Sequence, residues 1–143
     1  MSFRSWARSL LLFLLIQGIA QVGAAACLSY EPAEVTLRGI LVRKTFPGPP
    51  NYEDIRKGDQ PETYWLLTLD SAICVDQDKS EPELNPAKKD VRQVQLVLQP
   101  EMYRRFKSLL NRKTVATGTL FGAHTGHHHT PVLLTVQSIK RLP

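Results

Sequence analysis

The chain has 143 residues, with 18 basic and 13 acidic side chains and a formal net charge of +5. This length fits one domain and leaves little room for a second. The positive charge is too weak and too scattered to indicate a nucleic-acid-binding protein, although it suits an anionic partner in a cell envelope.

The N-terminus has the pattern of a cleavable signal peptide over residues 1–26. Arg4 and Arg8 form a positive start, Ser9–Ile19 is apolar, and Ala24–Ala26 supplies the small residues that a signal peptidase reads. The alternative is a transmembrane anchor, but the apolar stretch is shorter than the about 20 residues that span a bilayer. We therefore expect a periplasmic or secreted protein that is not integral to the membrane after cleavage.

Cleavage would leave a mature domain of residues 27–143, in which 16 basic side chains (18 without Arg4 and Arg8) exceed the 13 acidic ones by about three charges. Both cysteines, Cys27 and Cys74, lie in this part. In an oxidising compartment an even count of cysteines indicates a disulfide. Lipidation of Cys27 is the alternative, but the chain lacks the leucine that usually lies three residues before a lipidated cysteine.

Five strands and one helix are predicted in the mature chain. Apolar and polar residues alternate in the strands, and the period changes to that of a helix after Pro100, a favourable first helical residue. The apolar face of this helix consists of Met102, Tyr103, Phe106, Leu109 and Leu110, and Asn111 can end it. The predicted strands are, in chain order, Val35–Val42, Tyr64–Val75, Val91–Leu98, Thr114–Phe121 and Pro131–Ile139.

The order of these elements predicts a mainly β fold with one helix, a small five-stranded OB-like Greek-key barrel. In an OB-fold the helix lies between the third and fourth strands, as it does here. Gly39 and Gly118 interrupt the first and fourth strands, which fits because the strands of a small barrel bend sharply. The alternative is a five-stranded sandwich with an additional helix.

The loop after the first strand is rich in proline and aromatic residues. It reads Phe-Pro-Gly-Pro-Pro-Asn-Tyr-Glu from Phe46 to Glu53, and its prolines restrict the backbone. Such a loop can present side chains rigidly, so the candidate ligand-binding residues are Phe46, Asn51, Tyr52 and Glu53. The alternative is a stiff connector whose aromatic side chains cover one end of the barrel.

All four histidines lie in a second unusual segment, between the fourth and fifth strands. If Thr125 and Gly126 form a two-residue hairpin turn, His124 and His127 face each other with Cβ atoms about 5 Å apart. His129 then shares their face, and the three imidazoles form a candidate site for Zn²⁺ or Cu²⁺. The alternatives are hydrogen bonding to backbone carbonyls and a pH-responsive surface patch.

On an OB-fold these two loops flank the usual binding face, so they are expected to meet at one site. A carboxylate from the first loop could then approach the histidines as a metal ligand or as a hydrogen-bond acceptor. The candidates for that role are Glu53, Asp54, Asp59 and Glu62.

The sequence contains no glycine-flanked nucleophilic serine and no phosphate-binding glycine loop. A non-enzymatic binding domain for a small ligand or an envelope component is therefore favoured over an enzyme. A metal-dependent hydrolase that uses the same histidines and Glu53 is the second hypothesis. The third is a structural or interaction module of the cell envelope.

Several segments resemble one family of exported bacterial proteins, which is catalogued as a domain of unknown function. The resemblance extends over most of the mature chain, from Cys27 to about Ile139. It implies a bacterial source and an envelope or secreted location, and it assigns no catalytic residue. The segments that carry it are FPGPPNYE from Phe46, Gly58-Asp59, Ile73-Cys74-Val75, Gly-Thr-Leu-Phe from Gly118, and Thr-Gly-His-His-His-Thr from Thr125.

Overall fold

The structure, a computed structural model, describes residues 26–143, so the predicted signal peptide lies outside the described residues except for Ala26. The described part contains five strands, one α-helix and two short 3-10 helices. The strands are β1 (Glu34–Pro47), β2 (Pro61–Val75), β3 (Lys88–Val97), β4 (Lys113–Gly122) and β5 (Val132–Arg141), and the α-helix is α1 (Pro100–Phe106).

The five strands form one sheet that closes on itself in the order β1-β2-β3-β5-β4. All neighbouring strands are antiparallel except β3 and β5, which pair in parallel over Gln95–Val97 and Leu133–Thr135. This order, with α1 between β3 and β4, is that of the predicted OB-like Greek-key barrel. The predicted fold class is therefore confirmed.

Strand β1 closes the barrel because it pairs with β4 along its first half and with β2 along its second half. Gly39 belongs to both ladders, and a Cβ atom there would lie 2.1 Å from the carbonyl oxygen of Thr68. Gly118 lies at a shift in the β4–β5 register, and its Cβ would lie 2.0 Å from the carbonyl oxygen of Thr135. Only glycine allows these close backbone approaches, as the sharp bends of a small barrel require.

Strands β1 and β2 are longer than the sequence pattern predicts. Their pairing continues to Pro47 opposite Pro61, so Phe46 lies in β1 and not at the start of the loop. Phe46 pairs directly with Glu62, which was also placed in the loop. The alternation of apolar and polar residues in Val35–Val42 stops after Val42, because Arg43 and Lys44 are both polar and exposed. The sequence pattern therefore does not show that the strand continues.

The α-helix is shorter than predicted and ends at Phe106. Residues Lys107–Leu109 continue it as a 3-10 turn, and Asn111 then adopts a left-handed conformation with a φ of 61°. Phe106 is buried in the core, and Met102 packs against the core from the same helix face. No helix within residues 26–143 is long and apolar enough to cross a membrane.

The barrel interior is filled by alternate residues of the strands, as expected for a small closed sheet. The side chains of highest burial are branched and aliphatic, and they form one cluster with Trp65 and Phe106. The members of this cluster with a relative exposure of 0 % are Leu41, Leu67, Val94, Ala116, Leu120, Val132 and Leu134.

The predicted disulfide is present between Cys27 and Cys74. It attaches the segment before β1 to the end of β2, where Leu28 and Val75 form a parallel bridge. The backbone N–H of Leu28 donates to the carbonyl of Cys74 at 2.8 Å, and that of Asp76 donates to Leu28 at 2.8 Å. The disulfide and these two hydrogen bonds therefore fasten the segment before β1 to the end of β2.

Replacing both cysteines by serine should lower the free energy of unfolding by about 2–4 kcal/mol, because the closed loop restricts the unfolded chain. The sequence separation of 47 residues is long enough for an effect of that size. Urea unfolding of the wild type and of the double variant measures it. Dithiothreitol should reproduce the loss in the wild type and leave the double variant unchanged, and equal unfolding midpoints for the oxidised proteins would contradict the prediction.

Candidate functional site

The first loop, between β1 and β2, is built around the buried carboxylate of Asp59, whose residue is 4 % exposed. This carboxylate accepts hydrogen bonds from the backbone N–H groups of Asn51, Glu53 and Asp54 at 2.8–2.9 Å, and from the Asn51 amide at 3.2 Å. The backbone hydrogen bonds hold the pKa of Asp59 below its usual value. Asn51 and Glu53, two of the predicted ligand-binding residues, therefore help to form the loop through their main chain.

Tyr52 projects from this loop toward the histidines. Its φ of 59° lies in the left-handed region, which is uncommon for an aromatic residue. Its ring lies against Gly126, where an added Cβ would approach ring atoms of Tyr52 to 3.0 Å. The first loop and the histidine segment are thus in direct contact, as the sequence predicts for an OB-fold.

The histidine segment is not the two-residue hairpin expected from Thr125 and Gly126. Strand β4 ends at Gly122 and β5 begins at Val132, so the connection is a loop over residues 123–131. Within it, the N–H of His128 donates to the carbonyl of Thr125 at 3.1 Å. The histidines therefore do not alternate between the faces of a strand, and the expected pairing of His124 with His127 is wrong.

The histidine loop is held on the barrel by Gln95 of β3, which is 2 % exposed. The Gln95 carboxamide donates to the carbonyl of His127 at 2.9 Å and accepts from the N–H of His129 at 2.8 Å. The backbone N–H of Gln95 also donates to the hydroxyl of Thr130 at 2.9 Å, and that hydroxyl donates to the carbonyl of Val132 at 2.7 Å. Strand β3 thereby fixes the backbone positions of His127 and His129.

A hydrogen-bonded chain connects Tyr52, His127, Glu62 and Tyr64. His127 Nδ1 lies 2.9 Å from Glu62 Oε2, and Tyr52 Oη lies 3.3 Å from His127 Nε2. A carboxylate can only accept, so Nδ1 carries the proton, and in that tautomer of the ring Nε2 can accept from the Tyr52 hydroxyl. Tyr64 also donates to Glu62, at 3.0 Å. The hydrogen bond from His127 lowers the pKa of Glu62, whereas burial and the bond to Glu62 raise the pKa of Tyr64 to about 12.

His129 lies deeper than His127, with 12 % of its side chain exposed against 50 %. Its ring stacks on Phe46 with 4.1 Å between centroids and an interplanar angle of 1°. Burial lowers the pKa of His129, which favours the neutral ring. Its Nε2 atom is buried without a hydrogen-bond partner, 3.9 Å from Glu62 Oε2.

The other two histidines form a separate pair on Phe121. The rings of His124 and His128 are 4.7 Å apart, and His128 Nδ1 accepts from the backbone N–H of His124 at 3.0 Å. His124 Nδ1 lies 3.0 Å from the carbonyl of Gly122. His124 therefore does not converge with His127 and His129 as expected, and Glu62 takes the place beside those two rings.

Together these contacts form one continuous surface, which we call the loop-junction patch. Sequence reasoning named Phe46, Tyr52, Glu62 and the two histidines, but it missed Tyr64 and the supporting Gln95. Within residues 26–143, no three His, Cys, Asp or Glu side chains already lie at metal-ligand spacing. The loop-junction patch consists of Phe46, Tyr52, Glu62, Tyr64, His127 and His129.

Replacing Gln95 by methionine should free the histidine loop, because one backbone carbonyl and one backbone N–H lose their buried partners. The free energy of unfolding should fall by about 1–3 kcal/mol, as measured in guanidinium chloride. Gln93→Met is the matched control, since the Gln93 amide donates only to the hydroxyl of Thr68. Equal losses for the two variants would show that the Gln95 carboxamide has no special role.

Lowering the pH should open the first loop only below the usual pKa of an aspartate, about 3.9. The pKa of Asp59 is depressed, so its stabilising effect is present above that value and is lost as the pH falls through the lower folded value. Amide hydrogen exchange at Asn51 and Glu53 between pH 6 and pH 2 measures the opening. Asp59→Asn should exchange rapidly across this range, and a pH profile like that of the wild type would refute the assignment.

A family profile described as a domain of unknown function (DUF4431) matches residues 93–140. The match runs from β3 through α1 and β4 to β5, and it includes Gln95 and the histidine loop. No curated protein and no solved structure matches the chain. Over this part, the chain is similar to a domain of unknown function.

Proposed function

We propose that the protein is an exported, non-enzymatic binding domain that takes a small polar ligand of the cell envelope at the loop-junction patch. One observation carries this proposal. The proline-rich loop and the histidine loop, which are distant in sequence, meet through Tyr52 on His127 and Phe46 on His129. Both loops are held rigidly from beneath, by Asp59 and by Gln95, so the surface is formed before any ligand binds.

Export is supported by two features that are independent of each other. The signal-peptide pattern of residues 1–26 ends directly before Cys27. The disulfide between Cys27 and Cys74 belongs to a class of bond that persists in oxidising compartments and is rare in the cytosol.

The chemistry of the patch favours a saccharide over a nucleic acid. By fold-level analogy, the corresponding face of OB-folds binds oligosaccharides or oligonucleotides. Glu62 has a lowered pKa and is ionised near neutral pH, and a carboxylate at the centre of the patch repels a phosphate backbone. Two tyrosine hydroxyls, two imidazoles and this carboxylate instead offer donors and acceptors beside aromatic rings, which suits the hydroxyl groups of a sugar.

Binding is favoured over hydrolysis because the patch is an open surface. His127, the central residue of the hydrogen-bonded chain, has half of its side chain in contact with solvent. A surface cavity of about 320 Å³ lies elsewhere and is lined by Ser29–Glu31 and Asp76–Lys79. Catalysis usually requires a concave site that excludes water, whereas recognition can use an exposed aromatic patch.

The experiment uses untagged protein recovered from the periplasm of cells that express the full chain, in buffer with EDTA. Soluble glycan-peptide fragments of the cell wall are titrated into the isotope-labelled protein, and backbone NMR shifts are followed. We expect shifts confined to residues of the two loops and the start of β2. His127→Ala should weaken binding by about tenfold or more, which corresponds to about 1.4 kcal/mol.

His124→Ala is the matched control, because His124 lies in the same loop but contacts His128 and Phe121 instead of the patch. Its affinity should equal that of the wild type. Shifts centred elsewhere on the barrel, equal losses for the two variants, or an uncleaved leader on the recovered protein would each overturn a stated part of the proposal.

A further inference from the structure

We propose that Glu62, His127 and His129 form a Zn²⁺ site within the loop-junction patch. The inference rests on the proposed function in one respect, that this patch is the binding surface of the protein. It replaces the set of His124, His127 and His129 that the sequence favours, because the structure places His124 on another part of the loop.

Glu62 lies beside both histidines of the patch. Glu62 Oε2 lies 2.9 Å from His127 Nδ1 and 3.9 Å from His129 Nε2. Zinc–ligand bonds of about 2.0–2.1 Å in a tetrahedral arrangement separate two donors by about 3.3 Å, a value between these two distances. Zn²⁺ would take the place of the proton on Nδ1 of His127, so the Glu62 carboxylate would move out of the line of that hydrogen bond and the proton would pass to Nε2.

The orphaned nitrogen of His129 is the second observation that points to a ligand. Within residues 26–143 it is the one side-chain nitrogen or oxygen that is fully buried without a hydrogen-bond partner. A buried polar atom without a partner loses its hydration at a cost, so native proteins rarely keep one without a reason. The free Nε2 is on the side of the ring that approaches Glu62, and coordination of a metal ion would satisfy it.

Each donor is also supported by a neighbour, as metal ligands in proteins usually are. Tyr64 donates to Glu62 at 3.0 Å and fixes its carboxylate. Once Nδ1 of His127 binds the metal, its Nε2 carries the proton and donates to Tyr52 Oη at 3.3 Å. Gln95 holds the backbone of both histidines, so the two rings are positioned by one buried side chain.

Two histidines and one carboxylate leave one tetrahedral position free for an added ligand. The bound site would carry a net charge of about +1, since the carboxylate neutralises half of the charge of Zn²⁺. A hydroxyl or carboxylate oxygen of an envelope ligand fits that position. The metal would thus convert an acidic patch into one that prefers oxygen donors.

The experiment is a titration of Zn²⁺ into the untagged, EDTA-treated and dialysed protein, with a chromophoric chelator as competitor. We expect one equivalent to bind. Glu62→Gln and His129→Gln should each weaken binding by at least about 100-fold, and Tyr52→Phe by about tenfold. His124→Gln is the matched control from the same loop and should bind as the wild type does. Retained backbone NMR dispersion identifies the variants that are still folded.

Imidazole nitrogen NMR gives a second readout that does not depend on any variant. Zn²⁺ should shift Nδ1 of His127 and Nε2 of His129, and it should leave His124 and His128 unchanged. If Zn²⁺ binds to the His124–His128 pair, or if wild type and Glu62→Gln bind equally, the ligand set is wrong. If no binding is found, the metal site is refuted. Neither outcome affects the ligand titration in EDTA, which tests the proposed function separately.

Discussion

The candidate site depends on one buried side chain, the carboxamide of Gln95. The loop of nine residues that carries the four histidines has only two backbone–backbone hydrogen bonds of its own, from His128 to Thr125 and from Ala123 to Pro131. Gln95 supplies two more from the barrel wall, because an amide side chain offers one donor and one acceptor in the spacing of a peptide group. An apolar residue at this position would leave the histidine loop without a defined position.

The fold could be predicted from sequence because its signals are local and repeated. Alternating residues mark the strands, the change of period after Pro100 marks the helix, and Gly39 and Gly118 mark the bends. The order of these elements is sufficient to indicate the barrel. The strand pairing of such a barrel places the two unusual loops side by side. The ends of β1 and β2 were missed because exposure on both faces removes the alternation there.

The site was only partly predictable, for reasons of pairing and of loop geometry. Glu62 was one of four carboxylates considered, and nothing local distinguishes it, since its role follows from its position opposite Phe46 in the strand register. Gln95 lies on the outer face of β3. A polar residue on that face is expected to contact water, so the sequence does not indicate that its side chain is buried under the histidine loop. The pairing of His124 with His128 depends on the path of an irregular loop, and side-chain periodicity does not describe such a path.

The contact between Tyr52 and Gly126 has a consequence for the evolution of the protein. A Cβ atom at position 126 would lie 3.0 Å from the Tyr52 ring, so any side chain there would require the ring to shift. A lineage that loses the tyrosine is released from this restriction, whereas one that keeps it is not. The two positions should therefore covary among related chains, and the history of this pair would record in which lineages the two loops have continued to act as one surface.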